Sequence, residues 1–170
     1  MSEITQMNLV KIYQYALQRE HEGMSFFRQN AHRFSHAAVA GAFTQLADEE
    51  QKHIDFIQGL IDALQAGTAA GLEMGTALEA EGFFSQRAQA EMLDQTVIEA
   101  MVPDLAVLRI AYLIERDFAE FYEMAAGRAD EASARKALDM LARWERGHER
   151  LFKEMHDAAF QEYAGMPWGG

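Results

Sequence analysis

The chain has 170 residues, two prolines, twelve glycines and no cysteine, and 15 basic residues against 27 acidic ones leave a formal charge of -12. That length suits one domain with a buried core. The lack of cysteine excludes disulfides, thiolate metal centres and cysteine nucleophiles, and the acidity makes nucleic acid and anionic membrane surfaces poor partners. No uncharged apolar run approaches the roughly 20 residues of a membrane helix. The stretch from Met1 to Gln6 shows neither the basic start nor the apolar run of a secretory signal, so a cytoplasmic domain is expected.

Four long amphipathic helices are predicted in chain order: Thr5 to Phe34, His36 to Leu64, Asp104 to Ala126 and Glu131 to Tyr163. Asp104 and Asp130 are the expected caps of the last two, and Gly165 followed by Pro167 is the expected stop. Between the second and third helices, Gly67, Gly71, Gly75 and Gly82 interrupt the pattern, and Ser85 to Met101 reads as a shorter helix. The short joints near Ser35 and Gly127 suit antiparallel hairpins, and the long connection suits a crossover between parallel second and third helices.

The sequence repeats itself at a shift of 95 residues without a gap: Ala16 matches Ala111, Glu20 Glu115, Phe26 Phe121, Leu46 Leu141, Glu50 Glu145 and His53 His148. The expected organisation is a single domain over residues 1–170, with repeats over about 9–61 and 104–156 and a crossover over 65–103.

Each helix carries an acid in the middle of an apolar seam. The second helix reads Val39, Phe43, Leu46, Glu50, His53, Ile57, Leu60, Leu64, and the fourth Ala134, Leu138, Leu141, Glu145, His148, Phe152, Met155. The first runs Tyr13, Leu17, Glu20, Met24, Phe27, Ala31, Phe34, and the third Leu108, Tyr112, Glu115, Ala119, Tyr122, Ala126. These steps of three and four residues mark a buried stripe. A buried, unpaired carboxylate is costly, and neither lysine nor arginine falls on the stripes at the same height. Two divalent cations would balance four glutamates and two neutral histidines, and Glu-x-x-His puts both side chains on one helix face, as chelation requires.

The stretches Ala16 to Glu20, Leu46 to His53, Ala111 to Glu115 and Leu141 to His148 resemble the ferritin-like diiron-carboxylate proteins of the rubrerythrin-related group, across residues 5 to 160. The resemblance implies an all-α, ferritin-like four-helix bundle and two non-haem iron ions, with manganese or zinc as possible replacements. It implies Glu20, Glu50, His53, Glu115, Glu145 and His148 as both metal ligands and catalytic residues. By the same resemblance Glu50 and Glu145 bridge, Glu20 and Glu115 are terminal ligands, and each metal takes one histidine. Rubrerythrins proper add a cysteine-ligated iron domain, which a chain without cysteine lacks. They also carry a further glutamate where this chain has Phe118. Gln51 stands where bacterioferritins place a haem-binding methionine, so no haem is expected, and the short tail after Tyr163 is unlike that of cage-forming ferritins.

The implied activity is peroxide or oxygen reduction, or ferroxidase turnover, with hydrogen peroxide or O2 as the small-molecule oxidant and an external electron donor such as a rubredoxin. The alternative is a non-catalytic iron, manganese or zinc carrier. A homodimer is expected, with helix swapping left open. Glu49 is read either as a partner of His53 or, preferably, as part of a solvated face, since its repeat mate is Trp144. Tyr112 and Tyr122 are read as core packing with satisfied hydroxyls in preference to ligand contact or electron transfer. His21, His32, His36 and His156 fall off the register, and Trp168 either docks on a partner chain or frays.

Overall fold

The structure, a computed structural model, describes residues 3–34, 37–68, 72–81 and 102–167. Among these it contains five helices and no strand: α1 (Glu3–Ala31), α2 (Ala37–Ala66), α3 (Leu72–Glu81), α4 (Val102–Arg128) and α5 (Ala132–Gly165). The four long ones correspond to the predicted helices, with ends moved by one to three residues. The predicted helix over Ser85 to Met101 and the residue Trp168 lie outside the described residues.

The helix ends follow from local chemistry. Gly67, at φ 68°, closes α2 in the left-handed region, which glycine enters without steric cost. Its N–H donates to Leu64 O at 3.3 Å and the Thr68 N–H donates to Ala63 O at 3.0 Å, so two end carbonyls that the helix leaves open are satisfied. At the start of α5 the cap is Glu131, not the expected Asp130, because the helix opens at Ala132. The Glu131 carboxylate accepts the N–H groups of Ser133 at 3.3 Å and Ala134 at 2.9 Å. Helix α4 begins at Val102, which places Asp104 inside its first turn and not at the cap. At the far end α5 stops at Gly165 and Met166 turns to extended backbone ahead of Pro167, as predicted.

The four long helices pack as two hairpins, α1 with α2 and α4 with α5. Two apolar clusters fix how the hairpins meet. One joins the first part of α1 (Leu9, Tyr13, Ala16), the last part of α2 (Phe56, Ile57, Ile61), the last part of α4 (Phe118, Tyr122, Ala126) and the first part of α5 (Leu138, Leu141, Trp144). The other joins the opposite halves of the same helices, including Phe27, Phe43, Leu108 and Phe152. Helices α2 and α4 therefore run the same way, and the chain must return along the bundle between them. An α-helix of the length of α2 spans about 45 Å, so a long connection is a geometric necessity.

That connection contains a helix which the glycine-rich pattern of the sequence does not predict. Helix α3 packs across α2 and α5, and Arg143 on α5 reaches Glu79 on α3 at 2.6 Å. Gly75 is not a breaker here but a contact point. A Cβ at this position would lie 2.7 Å from Met140 Cε and 2.8 Å from Phe56 Cε2.

Candidate metal centre

All four seams face inward. Between the two apolar clusters lies a layer in which Glu20, Glu50, His53, Glu115, Glu145 and His148 are each 0% exposed. On one side Phe27, Phe43 and Phe152 pack ring against ring, with centroids 5.0–5.6 Å apart, and close the layer to water. On the other side the buried side chains of Tyr122, Phe56, Ile57 and Leu141 cover it.

Within the layer both histidines turn Nδ1 toward the carboxylates. His53 Nδ1 lies 3.2 Å from Glu20 Oε2, 3.2 Å from Glu50 Oε2 and 2.9 Å from Glu145 Oε1. His148 Nδ1 lies 3.1 Å from Glu50 Oε1, 3.3 Å from Glu145 Oε2 and 3.5 Å from Glu115 Oε2. Glu50 and Glu145 thus send one oxygen to each histidine, whereas Glu20 reaches only His53 and Glu115 only His148. The layer divides into two halves, His53 with Glu20 and His148 with Glu115, spanned by two shared carboxylates. The two imidazoles lie nearly parallel, 5.3 Å apart and 14° from coplanar orientation.

The electrostatics follow from burial and crowding. Burial pushes the Glu20 carboxyl well above its usual range, and the neighbouring charges of Glu145 and Glu50 push it further. Burial and Glu50 raise Glu115 in the same way. Burial disfavours charge on the histidines too, but the Glu145 and Glu50 carboxylates outweigh it at His53, and the surrounding carboxylates, Glu115 first, outweigh it at His148; both imidazoles hold their protons more tightly than usual. At Glu50 and Glu145 burial is overcome chiefly by the charge on His53, so both carboxyls lie below the ordinary range.

The cluster is left unsatisfied without a cation. Both oxygens of Glu50, Glu115 and Glu145, together with His148 Nδ1, lack a hydrogen-bond partner of good geometry although no water reaches them. Buried polar atoms are rarely left in that state. One ligand atom each from Glu50, His53, Glu145 and His148 fall within 4.8 Å of one another. A carboxylate-and-imidazole donor set of this kind suits iron, manganese or zinc, so the residues present fit a metal site.

Three neighbours border the layer, and one of them departs from the sequence reading. Glu49, expected on a solvated face, is buried at 4% exposure, and its Oε2 lies 3.1 Å from His148 Nε2 on the opposite hairpin. Tyr122 is core packing as expected, but its hydroxyl is satisfied by the centre itself, donating a hydrogen bond to Glu20 Oε1. Phe118, at 2% exposure, has the Arg19 guanidinium 4.7 Å above its ring, and a Cβ on Gly23 would touch it at 3.1 Å. Tyr112 is half-buried and sets its ring edge-on to His156, 5.5 Å away. His21 and His32 are exposed, off the centre as expected.

An all-α ferritin-like bundle built around a buried carboxylate–histidine layer is the class that this architecture defines. Residues 11–156 match the rubrerythrin family, and the chain belongs to that family, whose members usually bind non-haem iron. No curated protein and no solved structure gave a significant match. No helix among the described residues is long and apolar enough to cross a membrane.

Proposed function

We propose that this chain is a dinuclear-iron redox protein that reduces hydrogen peroxide or dioxygen, with ferroxidase turnover as the same chemistry run on incoming ferrous iron. The observation that carries this reading is the division of the buried layer into two histidine-and-glutamate halves spanned by Glu50 and Glu145. Glu20 and His53 would hold one ion, Glu115 and His148 the other, and Glu50 and Glu145 would contact both.

When bound, the iron pair would supply two electrons and Lewis acidity at adjacent positions. The remaining work falls to the protein. The aromatic cluster of Phe27, Phe43 and Phe152 keeps bulk water from the carboxylates. Tyr122, whose burial raises its hydroxyl pKa well above the usual value, keeps its proton and orients Glu20 through it. Reduction of hydrogen peroxide to two waters consumes two electrons and two protons. In this reading, electrons for repeated turnover come from an external donor. A homodimer in the cytoplasm remains our expectation for the working state.

The test is anaerobic loading of the metal-free protein with ferrous iron, followed by hydrogen peroxide or oxygen, with near-ultraviolet absorption as the readout. Rapid oxidation that an added reductant reverses supports the proposal. A protein that takes up metal but is never oxidised by either reagent refutes it and leaves a metal carrier.

A further inference from the structure

The two halves of the centre are built alike but backed differently. Glu49 and Trp144 are equivalent positions of the 95-residue repeat, and each immediately precedes the spanning glutamate of its own helix. Each also lies against the histidine of the opposite hairpin. Glu49 Oε2 is 3.1 Å from His148 Nε2. The Trp144 ring instead stacks on His53, with centroids 5.0 Å apart and planes 23° from parallel. An anionic acceptor therefore backs one imidazole, whereas an indole, which has an N–H donor and no acceptor, backs the other.

A second pair breaks the symmetry in the same direction. Tyr122 and Phe27 are also repeat equivalents. The Tyr122 hydroxyl donates to Glu20 in the His53 half and draws on that carboxylate's negative charge. Phe27 has no hydroxyl to give, so Glu115 receives no such bond from the equivalent position.

A carboxylate on the outer nitrogen of a ligating histidine fixes the tautomer that leaves the inner nitrogen free to bind, and it strengthens that nitrogen as a donor. A stacked indole orients the ring without doing either. We propose that Glu49 is a positioning residue that makes the two metal positions unequal, the His148–Glu115 position binding a divalent cation more tightly than the His53–Glu20 position. This inference rests on the dinuclear reading above.

The experiment is a titration of the metal-free protein with Co2+ in competition with a chromophoric chelator, with cobalt d–d bands as the second readout. The wild-type chain takes up two ions in two steps whose affinities differ by about tenfold or more. Glu49→Gln weakens the tighter step by about tenfold and Glu49→Ala by up to about a hundredfold, each leaving the weaker step and the helical circular dichroism in place. Tyr122→Phe, which touches only the other half, tightens the weaker step alone and provides an independent reading should a Glu49 variant fold poorly. Two equal steps in the wild type overturn the inference, as does a Glu49→Gln variant that weakens both steps by the same factor. A wild-type chain that binds no cobalt overturns the dinuclear reading itself.

Discussion

The Tyr122 hydroxyl on α4 donates a hydrogen bond to Glu20 Oε1 on α1, with both side chains buried at 1% exposure or less, so one bond ties the two hairpins together at the level of the centre. Removing the hydroxyl leaves a buried carboxyl oxygen without a donor, which costs about 1–3 kcal/mol. Tyr122→Phe is expected to lower the denaturant midpoint of the metal-free protein accordingly, with an unchanged denaturant slope. An unchanged midpoint would show that the bond contributes nothing to the fold.

Gly75 and Gly41 make opposite predictions for the same substitution. Both sit in helices, where alanine is better than glycine by about 1 kcal/mol. A Cβ at Gly41 meets nothing within 4 Å, so Gly41→Ala is expected to raise the melting temperature. At Gly75 it would press into Phe56, whose ring is packed against Trp144, and overpacking of this kind costs about 1–3 kcal/mol. Gly75→Ala is expected to lower the melting temperature. A rise in both would mean that α3 does not pack on α2 and α5 as described.

Much of this architecture is legible in the sequence, and the failures have physical reasons. The seams are legible because an acid at the centre of an apolar stripe can only point where the stripe points; all six members of the layer are buried. The crossover is legible because its length and glycine content contrast with the short joints. Periodicity, however, assigns a residue to a face of its own helix and says little about what that face meets. Glu49 reads as a neighbour of His53, four residues along the same helix, whereas it reaches His148 across the bundle. Gly75 reads as a helix breaker because glycine is a poor helix former, and only the approach of Phe56 and Met140 explains it. Glu131 is overlooked as a cap because glutamate is an uncommon one and Asp130 stands beside it.

Glu131 gives a pH-dependent prediction with a definite sign. The Ser133 hydroxyl and the N–H groups at the start of α5 hold its carboxyl below the ordinary value. A carboxyl with a depressed folded-state pKa stabilises the fold above its unfolded pKa, about 4.3, and the contribution is lost as pH falls through the lower folded value. Glu131→Ala is expected to cost about 1 kcal/mol at pH 7. The gap between variant and wild type should narrow below about pH 4, as followed by thermal melts across pH. A gap that is constant from pH 7 down to pH 3 would contradict the capping role.

Metal uptake should expel protons. In the cation-free protein, burial and crowding shift Glu20, Glu115, His53 and His148 toward their protonated forms, while the charge on His53 shifts Glu50 and Glu145 toward the ionised form. Binding requires deprotonated carboxylates and neutral imidazoles, so protons held by these groups must leave as the centre fills. Zinc titration in weakly buffered solution with a pH indicator near neutrality is expected to show acid release that saturates with metal. Uptake without acid release would mean that the ions bind somewhere other than this layer.

The most direct test is the metal content of protein isolated from its native host, measured by plasma mass spectrometry beside a Glu50→Gln, Glu145→Gln variant prepared in the same way. Two transition-metal ions per chain, mostly iron, falling to well under one in the variant, is the predicted result. A wild-type chain without stoichiometric metal, or a variant that retains both ions, would contradict it.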